Sequence, residues 1–291
     1  MLNREFYVEK LEYYADDSRI KVLVGVRGAG KTSIFQQFIK RLKENQKSDN
    51  EHIIYINFEY LEFEVLRDND KLKEYIFKKV KDKEQYFIFL DEIQYVPHFE
   101  IVLKYFWLNE SKLSFYISSS NTRTLRSDLS DELKCKCICF NVTPFAFSET
   151  CELLNTDIKD KAMLLNYLKY GGFPGRFRFK KSLEVKDYLY SVLDTCYLRD
   201  IVMRLGIREI QDLNYVLRFV IKYLGKRFAP YLVREEASEE YTMEQHVFED
   251  CLDGLCKALV VQESYGYSVH NNKILNGTFR YYISDFGFRV C

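Results

Sequence analysis

The chain has 291 residues, a length that fits two or three domains. Hydrophobic residues make up 47% and charged residues 30%, which is a globular composition and excludes a largely disordered chain. The 43 basic and 43 acidic residues cancel, so overall charge gives no argument for nucleic acid or an anionic membrane. No apolar run approaches the roughly 18 residues of a membrane span, and charges occupy the first residues, where a signal peptide is apolar. We therefore expect a cytoplasmic protein that does not enter a membrane.

Three of the 8 cysteines alternate along the chain, at Cys135, Cys137 and Cys139. Alternation places them on one face of a predicted strand. Zinc sites usually separate paired ligands by about two to four residues and add a second pair. None of the 4 histidines is near in the sequence, so the pattern predicts buried, reduced thiols rather than a metal site.

The first half of the chain alternates short apolar runs with amphipathic stretches, which predicts an α/β domain with a mainly parallel sheet. Strands are expected at residues 20–24, 53–56, 86–90, 113–117 and 137–140, and helices at 34–42, 72–80 and 101–108. The run at 86–90 is apolar throughout, which is typical of a central strand buried on both faces. We place this domain at residues 1–149.

The second half is predicted to contain helices followed by strands. Residues 150–208 form a predicted helical segment with a turn at 171–175, because two glycines and a proline cannot continue a helix without cost. The remainder, 209–291, is predicted as a winged-helix-like domain. Its helices are expected at 213–220 and, after a capping box of Thr242 and Gln245, up to residue 255. Strands at 259–261 and 279–283 are expected to flank an irregular connection at 265–276.

Residues 25–32, GVRGAGKT, match the pattern G-x-x-x-x-G-K-[ST] in full, between a predicted strand and an amphipathic helix. Glycines let the backbone turn tightly so that its N–H groups point at phosphate oxygens, and the helix start adds partial positive charge. Lys31 would reach the β- and γ-phosphates, and the Thr32 hydroxyl would bind Mg²⁺. A glycine-rich turn with a chance lysine is the alternative, and the length of the match argues against it. The predicted nucleotide-binding residues are Gly25, Arg27, Gly28, Ala29, Gly30, Lys31, Thr32 and Ser33, with ATP and Mg²⁺ as the predicted ligands.

The apolar strand at 86–90 leads into Asp91 and Glu92. Asp91 lies where a Walker B aspartate would join the Mg²⁺ site, and Glu92 could polarise the attacking water as a general base. An apolar run that ends in acids is a weak signal alone, because many strands end in a solvated acid. Together with the P-loop it favours hydrolysis, so we predict Glu92 and Lys31 as catalytic residues and Thr32 and Asp91 as metal ligands.

The next predicted strand ends in a polar stretch, Ser118, Ser119, Ser120 and Asn121. A polar group there could orient the attacking water, and Asn121 is therefore a third catalytic candidate. The alternative is a capped turn into a helix near residue 122, because Ser and Asn are favoured at such positions. The spacing alone leaves both interpretations open.

The segments at 25–32, 90–94, 117–121, 144–149, 171–174 and 281–285 occur in a familiar order. In that order the chain resembles the bacterial and archaeal AAA-type P-loop ATPases that carry a C-terminal domain of unknown function. The P-loop and the Asp-Glu pair are generic, whereas PFAFSE at 144–149 and GGFP at 171–174 are specific. The resemblance implies a three-layer ATPase sheet domain, a helical lid and a winged helix. It also gives Pro174 a place beside the adenine.

Two features depart from that family. Members commonly have an Arg shortly before the last strand, whereas the aligned position here is Lys136, which lacks the planar fork suited to a phosphoryl-transfer transition state. Arg123 and Arg126 are candidate substitutes, with a solvated helix face as the alternative. Members also usually continue into a nuclease-like domain, whereas this sequence ends at Cys291 and is either naturally short or a fragment.

Three functions fit this pattern. The leading one is an ATPase whose nucleotide state rearranges the lid and the winged helix. The second is an ATP-regulated switch with slow or absent hydrolysis, and the third is a DNA binder that uses its winged helix. Arg176, Arg178, Lys180 and Lys181 alternate with Phe177 and Phe179, a pattern that could bind phosphates and stack on bases, although a solvated strand or loop face is favoured. A homo-oligomer and a protein partner at the winged helix are left open.

Overall fold

The computed structural model describes residues 2–45, 48–110, 112–121, 135–203, 210–228 and 243–291. The chain divides into two compact units. The first comprises Met1–Gly25 and Gly30–Val142, and the second comprises Val26–Ala29 and Thr143–Cys291. The predicted three-part division, with boundaries after residues 149 and 208, stays a prediction.

The first unit is built from five strands with helices between them. Its strands are β1 Ile20–Val24, β2 Ile53–Asn57, β3 Tyr86–Asp91, β4 Leu113–Ser119 and β5 Cys137–Asn141. Its helices are α1 Glu5–Tyr13, α2 Lys31–Glu44, α3 Asn69–Lys79 and α4 Phe99–Asn109, with 3-10 helices at Leu61–Arg67 and Ile93–Tyr95. The five predicted strands and three predicted helices are all present, and α1 is an addition.

The five strands form one parallel sheet in the order β2-β3-β4-β1-β5. Every residue of β1, β3 and β4 is buried, because these strands are internal and covered on both faces. Parallel strands share one carboxyl edge, which is where open α/β sheets bind ligands. At that edge β1 ends at Val24, β3 at Asp91 and β4 at Ser119. The predicted α/β fold is confirmed.

The alternating cysteines lie on and just before β5, and the prediction that they are buried is wrong. Cys135 and Cys139 are exposed and Cys137 is half-buried. The reason is that, among the described strands, β5 lies at the edge of the sheet beside β1, so that it is covered less than the internal strands. Within the described residues, no group of three or more His, Cys, Asp and Glu side chains is arranged to hold a metal ion.

The second unit contains helices and then a small sheet. Its helices are α5 Phe147–Leu154, α6 Lys161–Tyr170, α7 Ser182–Thr195, α8 Ile210–Lys222 and α9 Gln245–Lys257, with a π-helical segment at Cys196–Val202 and 3-10 helices at Pro174–Arg178 and Phe286–Val290. Its strands are β6 Arg227–Phe228, β7 Val261–Ser268 and β8 Lys273–Ile283. None of the helices in the described part of the chain has both the length and the apolar content that crossing a membrane requires.

The predicted break between helices is present at residues 171–175. Gly171 has a φ of 70°, which glycine adopts at little cost, and it ends α6. A Cβ atom on Gly172 would lie 1.9 Å from the carbonyl oxygen of Phe145, so only glycine fits there. The chain then enters the 3-10 helix at Pro174, whose fixed φ suits a first helical position.

The basic stretch after this turn does not form one solvated face. Arg176 is only 4% exposed and its Nη1 donates to Oδ1 of Asn166 at 3.0 Å. Arg178, Lys180 and Lys181 are exposed. The favoured interpretation, a strand or loop with one solvated face, is wrong at Arg176, because Pro174–Arg178 is a 3-10 helix that turns this side chain inward.

The last part of the second unit has the predicted winged-helix-like arrangement, with α8 and α9 followed by an antiparallel sheet of order β6-β8-β7. The irregular connection predicted at 265–276 is wrong. β7 and β8 continue through it as a hairpin, with a register shift between Tyr265 and Gly266. Helix α9 is confirmed, with Glu244 before its first residue, whereas Thr242 of the predicted capping box lies outside the described residues.

Candidate functional site

The GVRGAGKT segment connects β1 to α2, and the structure favours glycine at two of its positions. A Cβ atom on Gly25 would lie 2.0 Å from the carbonyl oxygen of Val142, so no other residue fits. Gly30 has a φ of 98° directly before α2 begins at Lys31. The first turn of a helix directs its N–H groups toward the helix start, which is the geometry that binds anions. This arrangement is the one expected of the predicted P-loop.

Lys31 is buried with 3% of its surface exposed. Its Nζ donates to the carbonyl oxygen of Gly25 at 2.9 Å and lies 3.2 Å from Oε1 of Glu92. A buried ammonium group is stable only with such partners, so the two oxygens hold it at the carboxyl edge of the sheet. The structure thus brings together the two residues predicted from separate motifs as catalytic.

Asp91 ends β3 and is fully buried. Its Oδ2 accepts hydrogen bonds from Thr32 Oγ1 at 2.7 Å, Tyr55 Oη at 2.9 Å and Asn57 Nδ2 at 3.1 Å. Its Oδ1 accepts a hydrogen bond from Ser118 Oγ. The side chains of β2, β3, β4 and α2 therefore converge on one carboxylate, and the two predicted metal ligands, Thr32 and Asp91, are in direct contact.

Burial, and after it the charge of Glu92, raise the pKa of Asp91, while hydrogen bonds from Ser118 and Thr32 act in the opposite direction. A carboxylate in this position gains from a nearby cation, because a positive charge offsets the cost of burying a negative one. Thr32 and Asp91 supply hydroxyl and carboxylate oxygens, which are the hard ligands that Mg²⁺ prefers. The residues present therefore fit a magnesium ion.

Glu92 follows directly, with 4% of its surface exposed and a φ of 55°. Its backbone N–H donates to Ser118 Oγ at 2.9 Å. Its carboxylate contacts Lys31 through Oε1 and accepts a hydrogen bond from Gln94 Nε2 at Oε2. The left-handed backbone turns the side chain toward the P-loop lysine rather than along the strand direction. The carboxylate is thus fixed at both oxygens.

Asn121 is 1% exposed and follows the end of β4. Its backbone N–H donates to Ser119 Oγ at 3.1 Å, and the Ser119 hydroxyl contacts the Asn121 carbonyl oxygen at 3.1 Å. This local loop is compatible with both interpretations of the polar stretch. The helix expected near residue 122, together with Arg123 and Arg126, lies outside the described residues.

Sequence reasoning missed three polar residues of this cluster, Tyr55, Asn57 and Gln94. Tyr55 and Asn57 lie on β2, and Gln94 lies on the 3-10 helix after β3. A usable signal was present for Asn57, because it ends an apolar strand just as Asp91 does. For Tyr55 there was none, since a Tyr inside a strand is equally a packing residue.

Arg27, Gly28, Ala29 and Pro174 belong to the second unit. The Arg27 guanidinium makes two hydrogen bonds to the carboxylate of Asp200, from Nε to Oδ2 at 3.0 Å and from Nη2 to Oδ1 at 3.1 Å. Gly28 has a φ of 82°, and a Cβ atom there would lie 3.5 Å from the ring of Phe173. Asp200 is another residue that the sequence analysis did not single out.

Lys136 precedes β5 and is engaged within its own unit. Its Nζ lies 4.8 Å from the centre of the Trp107 ring, a cation–π contact, and its carbonyl oxygen accepts from Ile20 N at 2.8 Å. Ser33 lies in the first turn of α2 and is half-buried.

A family model described as an AAA domain matches residues 17–151, and one described as a domain of unknown function (DUF8612) matches residues 161–291. The chain thus carries an AAA domain followed by a C-terminal domain of unknown function. The family resemblance inferred from the motifs is thereby confirmed.

Two relatives of this AAA protein are described as uncharacterized. One, from Haemophilus influenzae, is 27% identical over 298 residues, which cover 99% of this chain and 73% of the relative. The other, from Methanocaldococcus jannaschii, is 29% identical over 240 residues, which cover 79% of this chain and 51% of the relative. The chain thus matches about half the length of the archaeal relative.

Among solved structures, a Walker-type ATPase of Pyrococcus abyssi is similar to this AAA protein with a TM-score of 0.65. The match covers 100% of this chain and 95% of the other, at 15% sequence identity. At that identity the likeness concerns the fold, and it agrees with the P-loop sheet described above.

Proposed function

We propose that this AAA protein binds Mg-ATP at Gly25–Thr32 and hydrolyses it to ADP and phosphate. The proposal rests on one observation. Two residues of the GVRGAGKT segment each contact one residue of the Asp91–Glu92 pair. Lys31 lies 3.2 Å from Glu92, and Thr32 Oγ1 lies 2.7 Å from Asp91. A phosphate cradle, a metal-side carboxylate and a candidate base are the parts that phosphoryl transfer to water needs.

In this proposal the backbone N–H groups of the P-loop and of the first turn of α2 bind the phosphates, and Lys31 pairs with the β- and γ-phosphate oxygens. The remaining proposed nucleotide contacts are Arg27, Gly28, Ala29 and Ser33, with Pro174 beside the adenine. Thr32 and Asp91 hold the Mg²⁺ site. A bound Mg²⁺ supplies positive charge to the β- and γ-phosphate oxygens.

Glu92 accepts a proton from the attacking water, whose oxygen forms a bond to the γ-phosphorus as the bond to the β–γ bridging oxygen breaks. ADP carries away the electron pair of the broken bond. Asn121 is proposed to orient the water. Charge on the transferring group spreads over its oxygens, and Lys31 stabilises it there.

We further propose that Arg27 couples the bound nucleotide to the conformation of the helical segment. Arg27 is part of the P-loop, and its guanidinium is held by Asp200 of the π-helical segment. A change at the phosphates that moves the Arg27 backbone would then move Asp200 with it. Movement of the predicted lid and winged helix follows from that coupling.

A second candidate is an ATP-regulated switch with slow hydrolysis. The ion pair between Lys31 and Glu92 favours it, because a base that is paired with the phosphate-binding lysine must exchange that partner before it can act. Lys136 favours it as well, since it stands where the family commonly has an Arg. The affinity of the winged-helix-like domain for a DNA or protein partner would then depend on which nucleotide is bound.

The test is phosphate release from ATP with and without Mg²⁺. We expect release by the wild type to require Mg²⁺ and to fall at least about 100-fold in Glu92→Gln, with ATP binding retained. Lys31→Ala should lose ATP binding, measured by calorimetry. Lys40→Ala on the exposed side of the same helix and Glu62→Gln at an exposed position are matched controls and should behave like the wild type.

Equal, slow release by the wild type and Glu92→Gln would favour the switch over the ATPase. Unchanged ATP binding in Lys31→Ala would contradict the nucleotide site itself.

A further inference from the structure

Gln94 lies two residues beyond Glu92, on the 3-10 helix Ile93–Tyr95, and no part of the proposed reaction uses it. We infer that Gln94 is a positioning residue for the reaction, which fixes the carboxylate of Glu92 by tying it to the end of β4 at Ser120. The inference rests on the proposed hydrolysis and adds a residue to it.

The amide nitrogen of Gln94 contacts both residues. Nε2 donates to Oε2 of Glu92 and to Ser120 Oγ at 3.0 Å. Ser120 itself is fully buried. The amide therefore bridges the residue that follows β3 and the residue that follows β4. These two strands lead into the proposed base and the polar stretch.

The chemistry of the neighbours assigns the orientation of the amide. An ionised carboxylate only accepts hydrogen bonds, so a donor must face Glu92, and the Gln94 amide group must present its nitrogen. Turned by 180°, Oε1 would face the carboxylate and repel it. Hydrogen bonds to a charged acceptor are the stronger ones, which fixes this orientation further.

The amide oxygen of Gln94 indicates that a contribution to folding stability does not by itself explain why a glutamine occupies this position. Oε1 of Gln94 is buried and has no hydrogen-bond partner among the described residues. A buried acceptor without a partner costs folding free energy, and such groups often coincide with functional sites. Gln94 thus donates a hydrogen bond that orients Glu92, while its own Oε1 accepts none from the described residues.

With Gln94 in place, both carboxylate oxygens of Glu92 are held, Oε1 by Lys31 and Oε2 by Gln94. When Lys31 turns to the phosphates of ATP, Gln94 is the contact that keeps the carboxylate from following it. Glu92 then stays where it can accept the proton of the water. The bond from Gln94 matters most during turnover, when the contact with Lys31 is given up.

The closing experiment compares Gln94→Ala in two backgrounds. In the wild-type background we expect kcat for phosphate release to fall about 10- to 100-fold, with KM for ATP changed less than about threefold, because the bond orients the base rather than the nucleotide. In the Glu92→Gln background the same change should cost less than about twofold, because residues that act as a unit are not additive. A purely structural role would cost the same in both backgrounds.

A second readout is a charge substitution at the same position. Gln94→Glu, which keeps the size but replaces the donor by a like charge, should be slower than Gln94→Ala. Gln85→Ala, the same change at an exposed position before β3, is the matched control and should match the wild type in kcat and KM.

Equal kcat for the wild type and Gln94→Ala would overturn this inference and leave the proposed hydrolysis intact. So would an equal loss in both backgrounds, which is the result expected of a structural residue. No phosphate release by a wild type that still binds ATP would overturn the proposed hydrolysis, and the inference with it.

Discussion

At the scale of single residues, Asp285 closes the turn that separates α6 from the 3-10 helix at Pro174. Its Oδ2 accepts from Gly172 N and its Oδ1 from Gly287 N, each at 2.7 Å. Burial raises the pKa of Asp285 to about 6, although both N–H groups and the charge of Arg176 act against the rise. A carboxyl group with a raised pKa makes the stability of the fold depend on pH.

The direction of that dependence follows from proton binding. Between the usual pKa of 3.8 and the folded value of about 6, the unfolded chain has lost the proton of Asp285 while the folded protein keeps it. Raising the pH through this window therefore lowers the free energy of unfolding. Asp285→Asn cannot ionise. We expect the free energy of unfolding of the wild type, relative to this variant, to fall by about 1–3 kcal/mol from pH 4 to pH 7.

Urea denaturation at several pH values measures that difference. Asp187→Asn, at an exposed position of the same unit, is the matched control. A relative stability that stays constant across the window would contradict the proposed burial of a protonated Asp285.

At the scale of elements, the π-helical segment Cys196–Val202 is notable because such segments often coincide with functional sites. It presents Asp200, which is fully buried, to the guanidinium of Arg27, of which 11% is exposed. Both hydrogen bonds are of the parallel, two-pronged kind that suits Arg and carboxylate. Removing one partner leaves the other charge buried, which is costly.

Asp200→Ala should therefore lower the free energy of unfolding by about 3 kcal/mol or more. Arg27→Met combined with Asp200→Ala should lose less than the sum of the two single changes, because the residues are in contact. Thermal melting of the four proteins gives the coupling energy. Asp253→Ala, which breaks an exposed pair with Lys257 on α9, is the matched control and should cost less than about 1 kcal/mol. Additive losses would show that the pair is not coupled.

The elements also show what the sequence could predict. The internal strands β1 and β3 were found because every residue of each is buried, which leaves a run of apolar side chains with few exceptions. Lys21 is the exception in β1, and it is buried with its Nζ bonded to Asp17 O and Ser114 Oγ. The hairpin of β7 and β8 was missed in part because its solvated residues carry no apolar alternation.

The sequence predicted those site residues that lie close together in the chain. Short motifs contain four of these residues, and the spacing within those motifs indicates what each residue does. They are Lys31, Thr32, Asp91 and Glu92. Asp200 could not be found, because its partner Arg27 lies 173 residues away and nothing in either stretch indicates the other. Gln94 was within the motif segment 90–94, but only the geometry shows which way its amide faces.

At the scale of the whole molecule, the zero formal net charge gives no long-range attraction to a polyanion. A charged partner would then have to be bound by local groups. Lys136, which the motif resemblance places where an Arg is common, contacts the Trp107 ring. An active site that needs a cation from another copy turns over faster as copies associate.

Phosphate release should therefore be measured against protein concentration. If Lys136 acts on another copy, we expect the rate per molecule of the wild type to rise with concentration, since association completes the site. In Lys136→Ala that rise should be lost, and Lys112→Ala, an exposed lysine before β4, should retain it. A rate per molecule that is constant for all three proteins would show that each copy is complete by itself.

The φ of 55° at Glu92 has a consequence for how this chain can evolve. A left-handed backbone costs a residue with a Cβ atom about 1–2 kcal/mol, and glycine or asparagine adopts it more readily. Glycine at this position would remove that cost, but it would also leave the buried ammonium group of Lys31 without its carboxylate partner. The strained backbone at Glu92 and the buried lysine therefore constrain each other, so that neither residue can be replaced alone without a penalty.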